Sequence, residues 1–243
     1  MHQLAELTPA FAALYRKASL EDLRKRAVLD DERRHAAVIA ALVALRQAPA
    51  TLEAAFGDLL EDGCPPDLAE DVVAQMAAYA GYASAGIAME ALAKARKARG
   101  LPSECERQDA ANLDDDARYE RGIADYARLN EKALATIRAA FGEIAPDLPD
   151  LTFRAFGDVY TRSKQPLQVR QIATVAGLAA LGGVAPQLRF HICAALNVGV
   201  TREEIVEAIA WVQFFAGMPA AYNALVELKQ ALAAGPTAAP GYR

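Results

Sequence analysis

Displaced by 136 residues, the chain matches itself. Residues 34–95 fall on 170–231 without a gap, and 16 of the 62 positions are identical. Eight of those identities are alanine pairs, which an alanine-rich chain produces from composition alone. The other eight are Arg34/Arg170, Leu42/Leu178, Leu45/Leu181, Leu52/Leu188, Leu60/Leu196, Gly63/Gly199, Gly81/Gly217 and Leu92/Leu228. A repeat of this length constrains the fold strongly, because each copy must form the same local structure and then find a face to bury against.

The repeated unit reads as helices joined by short loops. Alanine, leucine and glutamate dominate and alternating β-branched runs are almost absent, so the expected fold class is all-α. In TREEIVEAIAWVQFF, Thr201 and Glu204 have capping-box spacing, and Ile205, Ile209, Val212 and Phe215 form one apolar stripe. Gly217 stops that helix, and Pro219 suits the first turn of the next. Gly182 and Gly183 separate LQVRQIATVAGLAAL from APQLRFHICAALNV, and Tyr79-Ala80-Gly81 mirrors Phe215-Ala216-Gly217. These signals divide the chain into a first helical unit at 1–100, a polar acidic linker at 101–113 and a second unit at 114–243. Residues 114–141 are expected to form one long helix at the start of the second unit, and AAGPTAAPGYR reads as a frayed terminus.

Charge and composition exclude several functions. With 26 basic and 31 acidic residues, a net charge of −5, the chain has no general electrostatic attraction for nucleic acid or an anionic membrane. The N-terminal residues mix charges throughout and carry no secretory core, and no apolar window is long enough to span a bilayer. Cys64, Cys105 and Cys193 lie at unrelated spacings, suggesting neither a disulfide scaffold nor a zinc site. A cytoplasmic protein with reduced thiols is expected. Gly182-Gly183 has no preceding strand, so it is not a phosphate-cradling loop. No metal and no cofactor is expected.

The two copies differ in their chemistry. Ala55, Gly57 and His35 in the first stand where the second has His191, Cys193 and Gln171. Chemistry is therefore expected in the second copy, or at an interface it lines. His191 is either a proton-transfer group titrating near neutrality or a core histidine with one satisfied hydrogen bond. Cys193 lies about 200° around the helix from His191 and reads as a buried structural thiol. Arg170 either anchors a carboxylate through its fork or holds a helix start, and Arg34 repeats it. Gln171, in one stripe with Thr174 and Leu178, is expected to face a pocket that Tyr160 and Phe156 close. Trp211, Phe214 and Phe215 read first as core, with Phe215 also retained as a substrate contact.

Residues 167–225 resemble the carboxymuconolactone decarboxylase family, related in fold to alkyl hydroperoxidase D. The resemblance rests on Arg170, His191 and Ala194-Ala195-Leu196-Asn197-Val198-Gly199. It continues through Thr201-Arg202-Glu203-Glu204-Ile205, Ala216-Gly217-Met218-Pro219-Ala220-Ala221 and Asn223. It implies an all-α fold of intertwined helices, with a double-repeat chain assembling as a homotrimer. It also implies a cofactor-independent lyase acting on a small carboxylated lactone or related unsaturated acid. His191 would then be proton donor, and Arg170, Gln171, Tyr160, Phe156, Phe215 and Asn223 would contact substrate. Two positions depart from the family pattern. The Cys-x-x-Cys positions of the hydroperoxidase branch hold Val184 and Gln187, and the glutamate that often follows the arginine is Gln171. A binding or structural protein without chemistry, and a thiol hydroperoxide reductase, are the alternative expectations.

Overall fold

A computed structural model describes residues 8–103, 105, 113–162 and 164–235. Among these there is no strand, and the helical expectation holds along the chain. Helix α1 (Pro9–Arg16) leads through a wide turn (Lys17–Leu23) and a tight one (Arg24–Arg26) into α2 (Asp31–Ala44). Then follow α3 (Pro49–Glu61), α4 (Pro66–Gln75), the single turn α5 (Ala77–Ala80) and α6 (Tyr82–Lys97). The rest comprises α7 (Asp115–Leu129), α8 (Ala133–Phe141), α9 (Leu148–Arg162), α10 (Leu167–Leu181), α11 (Ala185–Asn197), α12 (Arg202–Ala216) and α13 (Met218–Ala234). Helices α2, α3, α4 and α6 start 136 residues before α10, α11, α12 and α13 respectively.

The most extensive pairing in the molecule is that of α2 with α10. Every residue from His35 to Ala44 and from Val169 to Ala180 is buried, so neither helix keeps a solvent face. Alanine and glycine allow the close approach. A Cβ on Gly177 would stand 2.6 Å from Met76 Cε and 3.5 Å from Ala40 Cβ. Helices α11, α12 and α13 cover α10, while α4, α6 and α12 lie against α2. One apolar core therefore draws on both halves, with Ile39, Leu92, Ile172, Ile192 and Ile205 fully enclosed. Each such side chain contributes about 1.5–3 kcal/mol relative to exposure.

Local signals act where their chemistry puts them. Thr201 accepts from the Glu204 backbone N–H while the Glu204 carboxylate accepts from the Thr201 backbone N–H, the capping box at the start of α12. Gly217, at φ +87°, makes the sharp join between α12 and α13. The expected single helix over 114–141 is instead two. Asn130 adopts an extended conformation (φ −161°, ψ 114°), its carboxamide oxygen accepts from Lys132 N, and Asn197 donates to the Leu129 carbonyl. Side chains thus take over hydrogen bonds that an unbroken helix would have made.

Helices α7, α8 and α9 build a second apolar cluster that rests on Phe190 and Ala194 of α11. It depends on a backbone-to-backbone crossing: a Cβ on Gly122 would fall 1.7 Å from the Phe153 carbonyl oxygen, and one on Gly157 2.2 Å from that of Arg118. The Arg118 guanidinium clamps the crossing, meeting both Asp158 carboxylate oxygens at 2.7 and 2.6 Å. Residues 104 and 106–112 of the expected linker, 1–7 of the N-terminal stretch and 236–243 of the expected frayed tail lie outside the described residues; α13 runs on to Ala234. Among the described residues no helix is long and apolar enough to cross a membrane.

Candidate active site

Helix α11 carries His191 into contact with α10, where the side chain is 4% exposed. Its Nδ1 lies 3.0 Å from the Gln171 carboxamide oxygen. That oxygen only accepts, so the ring proton sits on Nδ1, and Nε2 carries the lone pair available for proton exchange. Tyr79 and Phe190 meet the ring edge-on at 5.2 and 5.0 Å. Enclosure among these rings penalises the charged form and pushes the His191 pKa down to about 3.

A relay of side chains holds this arrangement from behind. Gln171, fully buried, donates to the Tyr160 hydroxyl at 3.2 Å. Arg170 lies with its guanidinium carbon 4.1 Å from the Tyr160 ring centre and donates through Nη2 to the Tyr160 carbonyl at 2.8 Å. Phe156 stacks on the other part of the same pair, ring centres 3.9 Å apart. From the first half, Gln75 donates to the Arg170 carbonyl (2.9 Å) and to Thr174 Oγ1 (2.8 Å). Burial raises the phenols of Tyr160, well above its usual value, and Tyr79, to about 12, so both stay protonated. Burial also lowers the Arg170 pKa, a shift opposed by the nearby Tyr160, Asp125 and Asp71.

His191 opens onto a cavity of about 640 Å³ whose walls include Tyr79, Tyr126, Phe141, Phe156 and Leu178. Gln187, one turn before His191, stands on the same face of α11 and lines it too. Of the residues expected to contact substrate, His191 and Phe156 line this cavity. Tyr160, Gln171 and Arg170 stand behind the lining. Gln171 is turned to the imidazole and Arg170 is laid on the Tyr160 ring, and neither is among the residues lining the cavity. Phe215 lines a different cavity beside α2, and Asn223 a hollow of about 320 Å³ between α10, α11 and α13. Cys193 forms no pair with His191: it is buried, with Sγ 3.9 Å from the Gly235 carbonyl, and its thiol pKa is raised by burial.

Sequence reasoning missed Tyr79, Tyr126, Phe141 and Gln187. A signal for Tyr79 was present, since it occupies the position of Phe215 in the 136-residue register. The helices cross between halves: Tyr79 from the first half walls the His191 cavity, and Phe215 from the second walls the cavity beside His35.

Residues 146–230 match the model of the carboxymuconolactone decarboxylase family. A 4-carboxymuconolactone decarboxylase of Acinetobacter baylyi is 32% identical over 115 residues, 46% of this chain and 85% of that protein. An uncharacterized 15.0 kDa protein of Paracoccus denitrificans is 33% identical over 88 residues, 35% of this chain and 66% of that protein.

Proposed function

The chain belongs to the carboxymuconolactone decarboxylase family, and from that membership we propose a cofactor-independent lyase that removes carbon dioxide from a small carboxylated lactone or related unsaturated acid. The observation that carries the reading is the imidazole of His191, fixed by Gln171 through Nδ1 and set in the wall of a largely aromatic cavity. Cleavage of the carbon–carboxylate bond leaves an electron pair that the ring carbonyl absorbs as an extended enolate. Protonation at carbon then completes the exchange of one carbon dioxide for one proton.

Burial keeps His191 neutral at rest, so it has no spare proton to give before substrate arrives. In this reading the substrate's own negative charge draws a proton onto Nε2 as it enters the cavity, because an opposite charge nearby favours the imidazolium. The imidazolium then protonates carbon and returns to neutrality. Gln171 fixes the ring throughout, while Arg170 and Tyr160 fix Gln171. Tyr79, Phe156 and Tyr126 exclude water and present apolar surface to the departing carboxylate, which favours its loss.

The test is carbon dioxide release from carboxymuconolactone by the wild type and by His191→Ala. A general acid contributes about 10²–10⁴-fold, and His191→Ala should lose that much in turnover. Undiminished release by the variant would refute the assignment. Gln171, which does not ionise, favours a second reading in which the cavity binds the acid without turning it over; calorimetric binding with no carbon dioxide release would establish that instead. For thiol hydroperoxide reduction the thiols are poorly suited, since burial raises Cys193 and takes Cys64 to about 12.

The same proposal includes a cytoplasmic homotrimer built from two helical units, 1–100 and 114–243. Met218, Tyr222 and Val226 form an exposed stripe at four-residue spacing on α13, which association would cover.

A further inference from the structure

The cavity at His191 is much larger than a lactone ring. Its volume of about 640 Å³ is roughly four times the ~150 Å³ that accommodates benzene. Helices α10 and α11 and Tyr79 of α5 supply part of the lining. Tyr126 of α7, Ile137 and Phe141 of α8 and Leu148 and Leu151 of α9 supply much of the remainder.

Polarity is unevenly distributed over this lining. No lysine, arginine, aspartate or glutamate is among the lining residues. Tyrosines apart, the polar side chains are His191, Gln187 and Thr152, and the Thr152 hydroxyl already donates to the Leu148 carbonyl at 3.0 Å. The Tyr79 hydroxyl is itself buried, so that residue offers the cavity its ring. His191 and Gln187 stand one turn apart on α11, which gathers onto one helix the groups best able to meet a ligand's oxygens. Thr152 aside, α8 and α9 add aliphatic and aromatic surface.

The apolar walls are held in place by their own packing. Ile137 is 8% exposed within the second apolar cluster, and Phe141 packs against that cluster. Helix α8 rests on α7 and α9. Ile137 and Phe141 also precede residue 146, where the match to the family model begins, so this wall lies outside the matched region.

We propose that the His191 site takes an acid carrying an apolar substituent about the size of a second ring, and that Ile137 and Phe141 of α8 select for it. The acid group rests on the lyase reading, whereas the substituent rests on the volume and the apolar walls of α8 and α9. With the reacting end of the substrate at His191, an unsubstituted lactone leaves apolar wall in contact with water. A ring-sized substituent removes that surface from water, and affinity rises with the area removed.

Benzoate and 4-phenylbenzoate differ by one such ring, and calorimetric titration of each into the full chain measures binding apart from turnover. The larger acid should bind about tenfold to a hundredfold more tightly, the gain from burying one phenyl group. Phe141→Asn should cut that advantage, and Ala155→Trp, which fills space in the α9 wall, should remove it, with benzoate binding unchanged in both. Equal affinity of the two acids for the wild type would overturn the proposal, as would an advantage that survives both substitutions or an absence of binding by either acid. Carbon dioxide release from carboxymuconolactone is followed separately: its absence would refute the lyase reading and leave the preference for the larger acid standing. If one variant fails to fold, the wild-type comparison and the other variant decide the matter.

Discussion

Acid should destabilise this protein in part through one imidazole. In the unfolded chain His191 titrates near 6.5, and in the folded protein at about 3. The folded value is the lower, so between these limits the unfolded chain holds a proton that the folded chain refuses. The stability of the neutral buried ring is therefore complete above about pH 6.5 and falls as pH drops toward 3. The slope approaches ~1.4 kcal/mol per pH unit, and integration from pH 7.5 to 4.5 yields about 2.5 kcal/mol. His35, also depressed by burial, and Asp62, depressed by its cations, act in the same direction. They are common to the wild type and to His191→Leu, so the difference between the two proteins isolates His191. Urea unfolding followed by circular dichroism at both pH values measures that difference. It should move by about 2.5 kcal/mol in favour of the leucine variant on acidification. A difference that stays constant with pH would mean that His191 binds its proton equally in both states, and the account of its enclosure would fail.

Gln171→Glu places a carboxyl at the imidazole. At a charge separation of about 4 Å and an effective dielectric near 20, the attraction is roughly 4 kcal/mol, about three pH units. The His191 resonance in a histidine-labelled sample should then titrate near neutrality, whereas titration still near 3 would refute the electrostatic argument. Gly122→Ala should lower the unfolding free energy by about 1–3 kcal/mol, because its Cβ falls on the Phe153 carbonyl and α7 and α9 must separate. A thermal melt unchanged from wild type would show that crossing to be looser than described.

Much of the helical layout was legible because it is written in short-range chemistry. The capping box at Thr201, the stop at Gly217 and the proline that follows each act within one turn of helix, so reading them requires no knowledge of packing. The break at Asn130 was not legible: the residues on either side favour helix, and the alternative is stabilised by Asn197, 67 positions away. At the candidate site His191 stood out because its counterpart is alanine. The surroundings of Arg170 were not legible, because an arginine's preference for carboxylates says nothing about the ring it comes to lie on. In the folded chain its guanidinium lies on the ring of Tyr160, ten residues earlier, and donates to that residue's carbonyl.

The remaining misplacements share one cause. Helices α2 and α10 are buried along most of their length, and each lends side chains to one cavity, Leu42 of α2 to that of His35 and Leu178 of α10 to that of His191. Each cavity is also lined by residues of the other half. For the His191 cavity these include Tyr79 of α5, and for the His35 cavity Phe215 and Trp211 of α12. Assigning Phe215 to the histidine of its own half was thus the natural error of reading each unit alone. The exchange has a chemical consequence: each half contributes to the wall of the other's cavity. The position that holds Gln75, bonded to the Arg170 carbonyl behind the His191 cavity, holds in the other half Trp211, which lines the His35 cavity. Two halves with matching helix starts can in this way present two chemically different cavities, one with its imidazole held by an amide and one with its imidazole held by a carboxylate.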